Sequence, residues 1–328
     1  MAAYLTSLSS LLAVSILAAA GLNITLGYGG VFSGGHAVFY GMGAYTVIYM
    51  AGSLHGQVLL VVPLALAVGI LSGGVLAVCA LRVSDEYFIV VSLALQIIFS
   101  AVISNWTAIS GGTDGTAAPT GRLGGLLLES VGSQAAVAWT CVILGLLACW
   151  LLRRGPIGRL ILALHDDPAA VQAVGKSPTL AKAVAICVGA GLTAAAGALY
   201  AICYGYVNPS NFDYTISFQF AAIVVIGGAG MLLGPVWGSL VVIAIIPLIS
   251  LVPLSSDVIG PLEQLSYGAV IVIVVMLRSY YSSIRRGGGG LSRRTVFDLI
   301  TTPLHASNRT ARAVDADAAA TPLQREKT

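Results

Sequence analysis

Charge is what this chain has least of. Asp, Glu, Lys and Arg together make up 9% of its 328 residues, against about 25% in soluble domains. The mean hydropathy is +0.93. A water-soluble globule with a charged surface is therefore excluded. Histidine is scarce too: His36, His55, His165 and His305 stand far apart, without the spacing of metal ligands. The five cysteines (Cys79, Cys141, Cys149, Cys187, Cys203) all fall inside apolar runs, so they read as small packing residues.

Catalytic signatures are also missing. No serine sits in a G-x-S-x-G turn. Gly175-Lys176-Ser177 copies the end of a phosphate-binding loop, but the glycine that pattern needs five positions earlier is Ala170. Ionisable residues are costly inside a bilayer and usually functional there, yet the apolar runs contain almost none. This argues against a proton pump. The chain is expected to carry no enzymatic site and to bind no cofactor or metal itself.

What the sequence has in abundance is apolar runs, at about 4–22, 37–53, 58–81, 87–104, 134–152, 183–205, 216–229, 235–253 and 264–281. A helix needs roughly 20 such residues to cross about 30 Å of hydrocarbon. Helices are the default, because an open sheet edge in lipid leaves backbone groups unpaired. The fold class expected is all-α: a polytopic transmembrane bundle of eight to ten spans. No Lys or Arg precedes the first run, so it reads as a retained helix rather than a cleaved signal peptide.

Orientation follows from the basic residues, which favour the cytoplasmic side in short loops. Arg82, Arg153, Arg154, Arg159, Lys176, Lys182 and Arg278 fall on one side. Asp114, Glu129, Asp213, Asp257 and Glu263 fall on the other, against a single Arg122. Glu86 is placed to pair with Arg82 at i and i+4. The Gly-rich stretch 27–36 is compatible with a loop, a broken helix or a re-entrant segment, which leaves the direction of the first helix open. Residues 1–284 form the membrane domain. Residues 285–328, with four glycines followed by scattered polar residues, are expected to be a disordered cytoplasmic tail.

The 39 glycines concentrate in two places, GYGGVFSGGHAVFYGMGAY (27–45) and IGGAGMLLGPVWGSL (226–240). In the second, Gly230, Gly234 and Gly238 recur every four residues, giving one helix face without side chains. Such segments serve close helix packing, or mark discontinuous helices beside a substrate path; both readings stay open. Asn23, Gly27, Ser33, His36, Asn208, Asn211, Gly230 and Gly234 are the candidates for lining that path.

One polar island interrupts the apolar pattern, RRGPIGRLILALHDDPAAVQAVGKSPTLAK at 153–182. Asp166 or Asp167 can cap a short helix with Pro168 at its first position. Ala169, Ala170 and Ala173 offer a small, low-entropy face, and Gly175 suits a C-terminal cap.

Four blocks in order carry a family resemblance: GLNITLGYGGVFSGGHAVFYGMGAY, EYFIVVSLALQIIFSAVISNWTAISGGTDG, GRLILALHDDPAAVQAVGKS and GALYAICYGYVNPSNFDYTISFQFAAIVVIGGAGMLLGPVWGS. The sequence resembles the LivM-type permeases over roughly residues 10–280. The resemblance implies a multi-pass subunit of the bacterial inner membrane, part of an importer of branched-chain amino acids. Its implied partners are a second homologous permease, two cytoplasmic ATPase subunits that hydrolyse ATP, and an extracytoplasmic substrate-binding protein. Relatives with similar motifs carry urea, short amides or other amino acids; a self-sufficient secondary transporter is the alternative class. The resemblance further implies that Gly158, Arg159, His165, Asp166, Asp167, Ala169, Ala170 and Gly175 form the segment coupled to the ATPases. Pro168 stands where related permeases often have a non-proline residue. Asp114, in the outer sequence GGTDG, is the candidate contact for the binding protein, or part of a solvated turn.

Overall fold

The computed structural model describes residues 2–250, apart from 55, 84 and 125, together with residues 262, 265, 266, 268, 269, 272 and 276. A first compact unit covers Met1–Ile271 and a second Val272–Thr328. The expected tail at 285–328, Arg278, Asp257 and Glu263 lie outside the described residues, as do most of the ninth apolar run and the side chain of Glu86.

Within the described residues, the first eight apolar runs become helices in chain order. Helix α1 (Ala2–Leu22) continues as a π-helix (Asn23–Tyr28), and α2 (Ala37–Tyr49) follows after a non-helical segment. The short α3 (Ala51–Leu54) leads to α4 (Val58–Ala80) and α5 (Asp85–Asn105). A cap then forms from α6 (Thr107–Ser110), a 3-10 turn (Gly112–Asp114), β1 (Thr116–Ala117), β2 (Arg122–Leu123) and β3 (Leu126–Leu127). Beyond it come α7 (Val131–Arg154), α8 (Pro156–Asp166), α9 (Pro168–Ala173) and α10 (Pro178–Tyr204). Strand β4 (Tyr206–Val207), a 3-10 turn (Pro209–Phe212), α11 (Tyr214–Gly227) and α12 (Gly234–Ser250) follow.

Five of the described helical segments are long and apolar enough to cross a membrane; α2 and α11, of 13 and 14 residues, are not. At 1.5 Å per residue each is only about 20 Å long, short of the roughly 30 Å of hydrocarbon. Hydropathy marked them as spans because a half-helix followed by an apolar loop scores like a whole one.

Helix α10 is the axis of the unit: most of its residues are buried, whereas most of those of α4 and α5 are not. It packs on α4, α2 and α1. In lipid there is no hydrophobic drive between helices, so association depends on close packing and hydrogen bonds. The glycines and alanines of α10 let neighbouring backbones approach. A Cβ on Gly69 would stand 2.5 Å from the Ala194 Cβ, and one on Gly73 would stand 2.6 Å from the Ala190 Cβ. Thr193 Oγ1 donates to the Ala18 carbonyl at 3.3 Å, and Thr25 Oγ1 to that of Ala185 at 3.4 Å, tying α1 to the same axis.

Helices α11 and α12 form an antiparallel hairpin in which Gly227 faces Gly234 and Gly238 faces Ile223. The four-residue glycine repeat therefore serves packing at Gly234 and Gly238. Gly230 is not on that face; it lies in the connecting turn with φ +80°. On the acidic face, β1 pairs with β4, and the backbone of Arg122 bonds to the Gly56 carbonyl at 2.8 Å.

Candidate functional site

The first Gly-rich segment is a break in a helix. Helix α1 ends in a single π turn, a distortion common at functional positions. Residues 29–36 then run without regular structure, with Val31, Ser33, Gly34, Gly35 and His36 buried. Tyr28 lies under the Arg153 guanidinium, 5.8 Å from ring centroid to Cζ, and Gly30 abuts His165 of α8. Helix α1 therefore runs toward the basic face, which settles the direction that the sequence left open.

A buried loop must find partners for its backbone, and here side chains from other helices provide them. The Gly34 N–H donates to Ser92 Oγ of α5 at 2.9 Å, and the Ala37 N–H to Ser217 Oγ of α11 at 2.8 Å. Gln96, one turn beyond Ser92, donates from Nε2 to the Phe212 carbonyl at 2.6 Å. Counting from Asp85, Ser92 and Gln96 stand about 10 and 16 Å along α5, near the middle of a bilayer. The loop therefore climbs from the basic face at Gly30 to mid-depth at His36.

Several polar atoms there are fully buried without a partner: Ser33 Oγ, Gln96 Oε1 and both ring nitrogens of His36. His36 packs edge-on against Phe39 at 5.3 Å. An unpaired buried polar group costs about 1–3 kcal/mol, so a cluster of them marks a position that another state of the protein has reason to use. Farther along α2 and α5, Met42, Tyr45, Thr46, Phe99 and Ile103, with Trp106 just beyond α5, help to line an open apolar groove of about 460 Å³.

The second break meets the first. Asn23 accepts from the Gly230 N–H at 2.9 Å and donates to the Met231 carbonyl at 3.0 Å. A Cβ on Gly27 would collide with the Gly230 nitrogen. Three of the path candidates, Asn23, Gly27 and Gly230, are thus in one junction between α1 and the α11–α12 turn. Asn23→Leu keeps the branched four-atom side-chain skeleton and removes both bonds. At about 1 kcal/mol per hydrogen bond we expect a loss near 2 kcal/mol, read as a drop of several degrees in the unfolding temperature of the detergent-solubilised protein; an unchanged temperature would mean the junction holds nothing together.

Ser33 and His36 join the mid-depth cluster, whereas Asn208 and Asn211 are placed elsewhere. Asn208 caps the Pro209–Phe212 turn through Ser210 N at 2.9 Å and reaches the Thr113 carbonyl at 3.2 Å. It belongs to the cap on the acidic face, not to either break. Asn211 donates to Tyr200 Oη at 2.9 Å, beside the ring cluster of Tyr40, Tyr200 and Phe212. Asp114 is exposed on that cap, and its carbonyl accepts from Tyr206 Oη.

On the basic face, the polar island folds into two helices rather than one. Helix α8 starts at Gly155-Pro156 and buries Ile161 and Leu164, leaving Ile157, Arg159 and His165 exposed. Gly158 allows this helix to lie on the end of α7, because a Cβ there would strike the Leu152 carbonyl. Asp167, not Asp166, caps α9: its Oδ1 accepts from the Ala169 N–H at 2.8 Å, with Pro168 first in the helix. Gly175 closes α9 at φ +73°, with Lys176 N–H to Val171 O at 3.1 Å and Gly175 N–H to Gln172 O at 2.8 Å, the paired bonds of a Schellman cap. Ala169 and Ala173 are exposed; the side chains of Asp166 and Ala170 lie outside the described ones.

The sequence reading missed Ser92, Gln96, Ser217 and Gly30. Ser92 and Gln96 did leave a signal, since with Ser100 and Ser104 they recur every four residues along an otherwise apolar stretch of α5 and so share one face. Nothing local distinguished Ser217 or Gly30.

A broken-helix bundle with a capped helix pair on its basic face fits a transport subunit, and comparison with known families decides which. Residues 4–277 match the family described as the branched-chain amino acid transport system permease component. This chain belongs to that family. Among curated proteins it is 30% identical over 241 residues to the high-affinity branched-chain amino acid transport system permease protein LivM of Salmonella typhimurium, covering 66% of this chain and 57% of that protein. It is 28% identical over 247 residues to the protein of the same description from Escherichia coli K12, covering 68% and 58%. The match thus spans little more than half the length of these relatives. No solved structure matches the chain. With five helical segments suited to crossing a membrane, this permease is a multi-pass protein of the bacterial inner membrane.

Proposed function

We propose that this permease forms half of the membrane core of an ATP-driven importer for branched-chain amino acids. A second homologous permease supplies the other half. Two cytoplasmic ATPase subunits hydrolyse ATP, and an extracytoplasmic binding protein delivers the cargo on the face that carries Asp114. This chain does no covalent chemistry and binds no cofactor; it provides the path and the surface on which the ATPases act. Transport of this kind requires that ATP favour one arrangement of the paired permeases over another.

The observation that carries this reading is the basic-face helix pair. A six-residue α9 with a side-chain cap at one end and a Schellman cap at the other is a rigid knob of small exposed residues, and α8 links it to the break after α1. Such a rigid surface suits a mechanical partner. The cargo class has support of its own. The family and both relatives are described by branched-chain amino acid transport, and an open groove between α2, α4 and α5 offers an apolar surface on which an aliphatic group could lie. Gln96 lies one turn from Phe99 in that lining, so polar groups for a carboxylate or ammonium stand close by on the same helix.

Reconstitution tests the proposal. Proteoliposomes holding both permeases and the ATPases, supplied with binding protein, should accumulate leucine-like substrates only when ATP is present. Uptake by this chain alone under an ion gradient would refute it and favour a self-sufficient secondary transporter.

A further inference from the structure

We propose that segment 29–36 is the gate of this permease and that His165 is the positioning residue that moves it. This rests on the coupling role given above to α8 and α9, and it names the route by which that coupling reaches the membrane interior.

The segment joins the two places that a relay must connect. At one end Gly30 lies on the basic face, where a Cβ would stand 2.5 Å from His165 Nδ1. At the other end, at mid-depth, stand Ser33 and His36. His165 sits in the last turn of α8, immediately before the cap of α9. A push on the α9 knob therefore arrives at Gly30 through one side chain. The N–H groups of Gly29, Gly30 and Val31 still donate to the Ile24, Leu26 and Thr25 carbonyls of the π turn, so the freedom to move lies in residues 32–36, which no helix or strand ladder holds. The segment's recorded tethers to neighbouring helices are single bonds from Gly34 to Ser92 and from Ala37, its first helical neighbour, to Ser217. Gly34 and Gly35 leave the backbone there free to change path.

The unpaired atoms say why it would move. Ser33 Oγ and both nitrogens of His36 are buried within the segment without hydrogen bonds, and Gln96 Oε1 on α5 is in the same condition. The Gln96 Cβ lies 3.5 Å from where a Cβ on Gly35 would stand, so the segment and Gln96 are in contact. The occluded arrangement thus leaves polar atoms unsatisfied that a displaced segment would expose to water or cargo. Those unpaired atoms raise the free energy of the occluded arrangement and so lower the cost of leaving it, which is what a switchable element needs. The junction of Asn23 with Gly230 and Met231 fixes the preceding turn of α1, so motion is confined to the residues beyond it.

The test uses the assembled transporter with native cysteines replaced. A transporter with no ATP-driven uptake would refute the coupling reading of the previous section rather than this one. In a working transporter, Ser33→Cys should react with a membrane-permeant maleimide at least fivefold faster with a non-hydrolysable ATP analogue than without nucleotide. Adding His165→Ala should abolish that difference and lower solute moved per ATP hydrolysed at least tenfold, while His165→Gln, with a polar group of similar reach, should restore part of both. Nucleotide-independent reactivity of Ser33→Cys would overturn the gate. An unchanged ratio of solute to ATP in His165→Ala would overturn the lever.

Discussion

Replacing Gly197 by alanine, a gain of one methyl group, is expected to remove most of the folded permease. Gly197 lies in α10 where the backbone of α2 crosses it, and a Cβ there would overlap the Tyr40 carbonyl. Gly43 makes the reciprocal approach, its missing Cβ directed at the Ala194 carbonyl. Neither obstacle is a side chain that can rotate away. The helices would have to separate, undoing a buried seam that includes Ala44, Ala194, Ala198 and Tyr40. Overpacking a core usually costs about 1–3 kcal/mol; with main chain on both sides of the clash, the upper end or beyond is expected. Gly132→Ala is the control: a Cβ there meets nothing within 4 Å, and in the first turn of α7 alanine is at least as well accepted as glycine. Size-exclusion chromatography of the two variants in detergent checks the pair. A monodisperse Gly197→Ala peak at the wild-type yield would show that α2 and α10 do not meet as described.

Gly175→Pro should abolish transport while leaving insertion in the membrane intact. Proline holds φ near −65° and has no N–H. Gly175 sits at φ +73° and donates its N–H to Gln172, so the substitution removes both the backbone conformation and the bond. The cap that ends α9 would open, and the turn into α10 would be rerouted. Since a Cβ at Gly175 meets no atom within 4 Å, no packing in the bundle is lost with it. Uptake by the assembled transporter is expected to fall at least a hundredfold, with the protein still recovered from the membrane at normal yield. Wild-type uptake would refute the assignment of α9 as the surface on which the ATPases act.

These expectations divide according to what carries each of them. The caps of α9 were legible in Asp167, Pro168 and Gly175 because capping is decided within a few residues, by side-chain oxygens and by which backbones tolerate positive φ. That α8 is a separate helix was less legible, since Gly158 and Pro156 resemble loop punctuation until α7 is beneath them. The glycine repeat at 230, 234 and 238 suggested one helix face, but it divides between a turn and a helix. A four-residue period is only a face once the backbone is helical throughout. Asn208 resembled a path residue because it is polar between apolar runs, yet its bonds are to the cap.

The amino-acid order by itself determined that this protein lives in a bilayer, that its described helices fall on the first eight apolar runs, and that its basic side carries a short helix with defined ends. Those properties follow from transfer of side chains into lipid and from hydrogen bonds closed between near neighbours. Only the tertiary structure decided that Asn23 grips Gly230 and Met231, that Ser92 and Ser217 hold a loop far from them in sequence, and that His165 rests on Gly30. Hydropathy is nearly equal on every side of a helix in lipid, so it says little about which helices touch. That choice is made by small residues that let particular backbones come close, and by the few polar groups that must find each other across the gap.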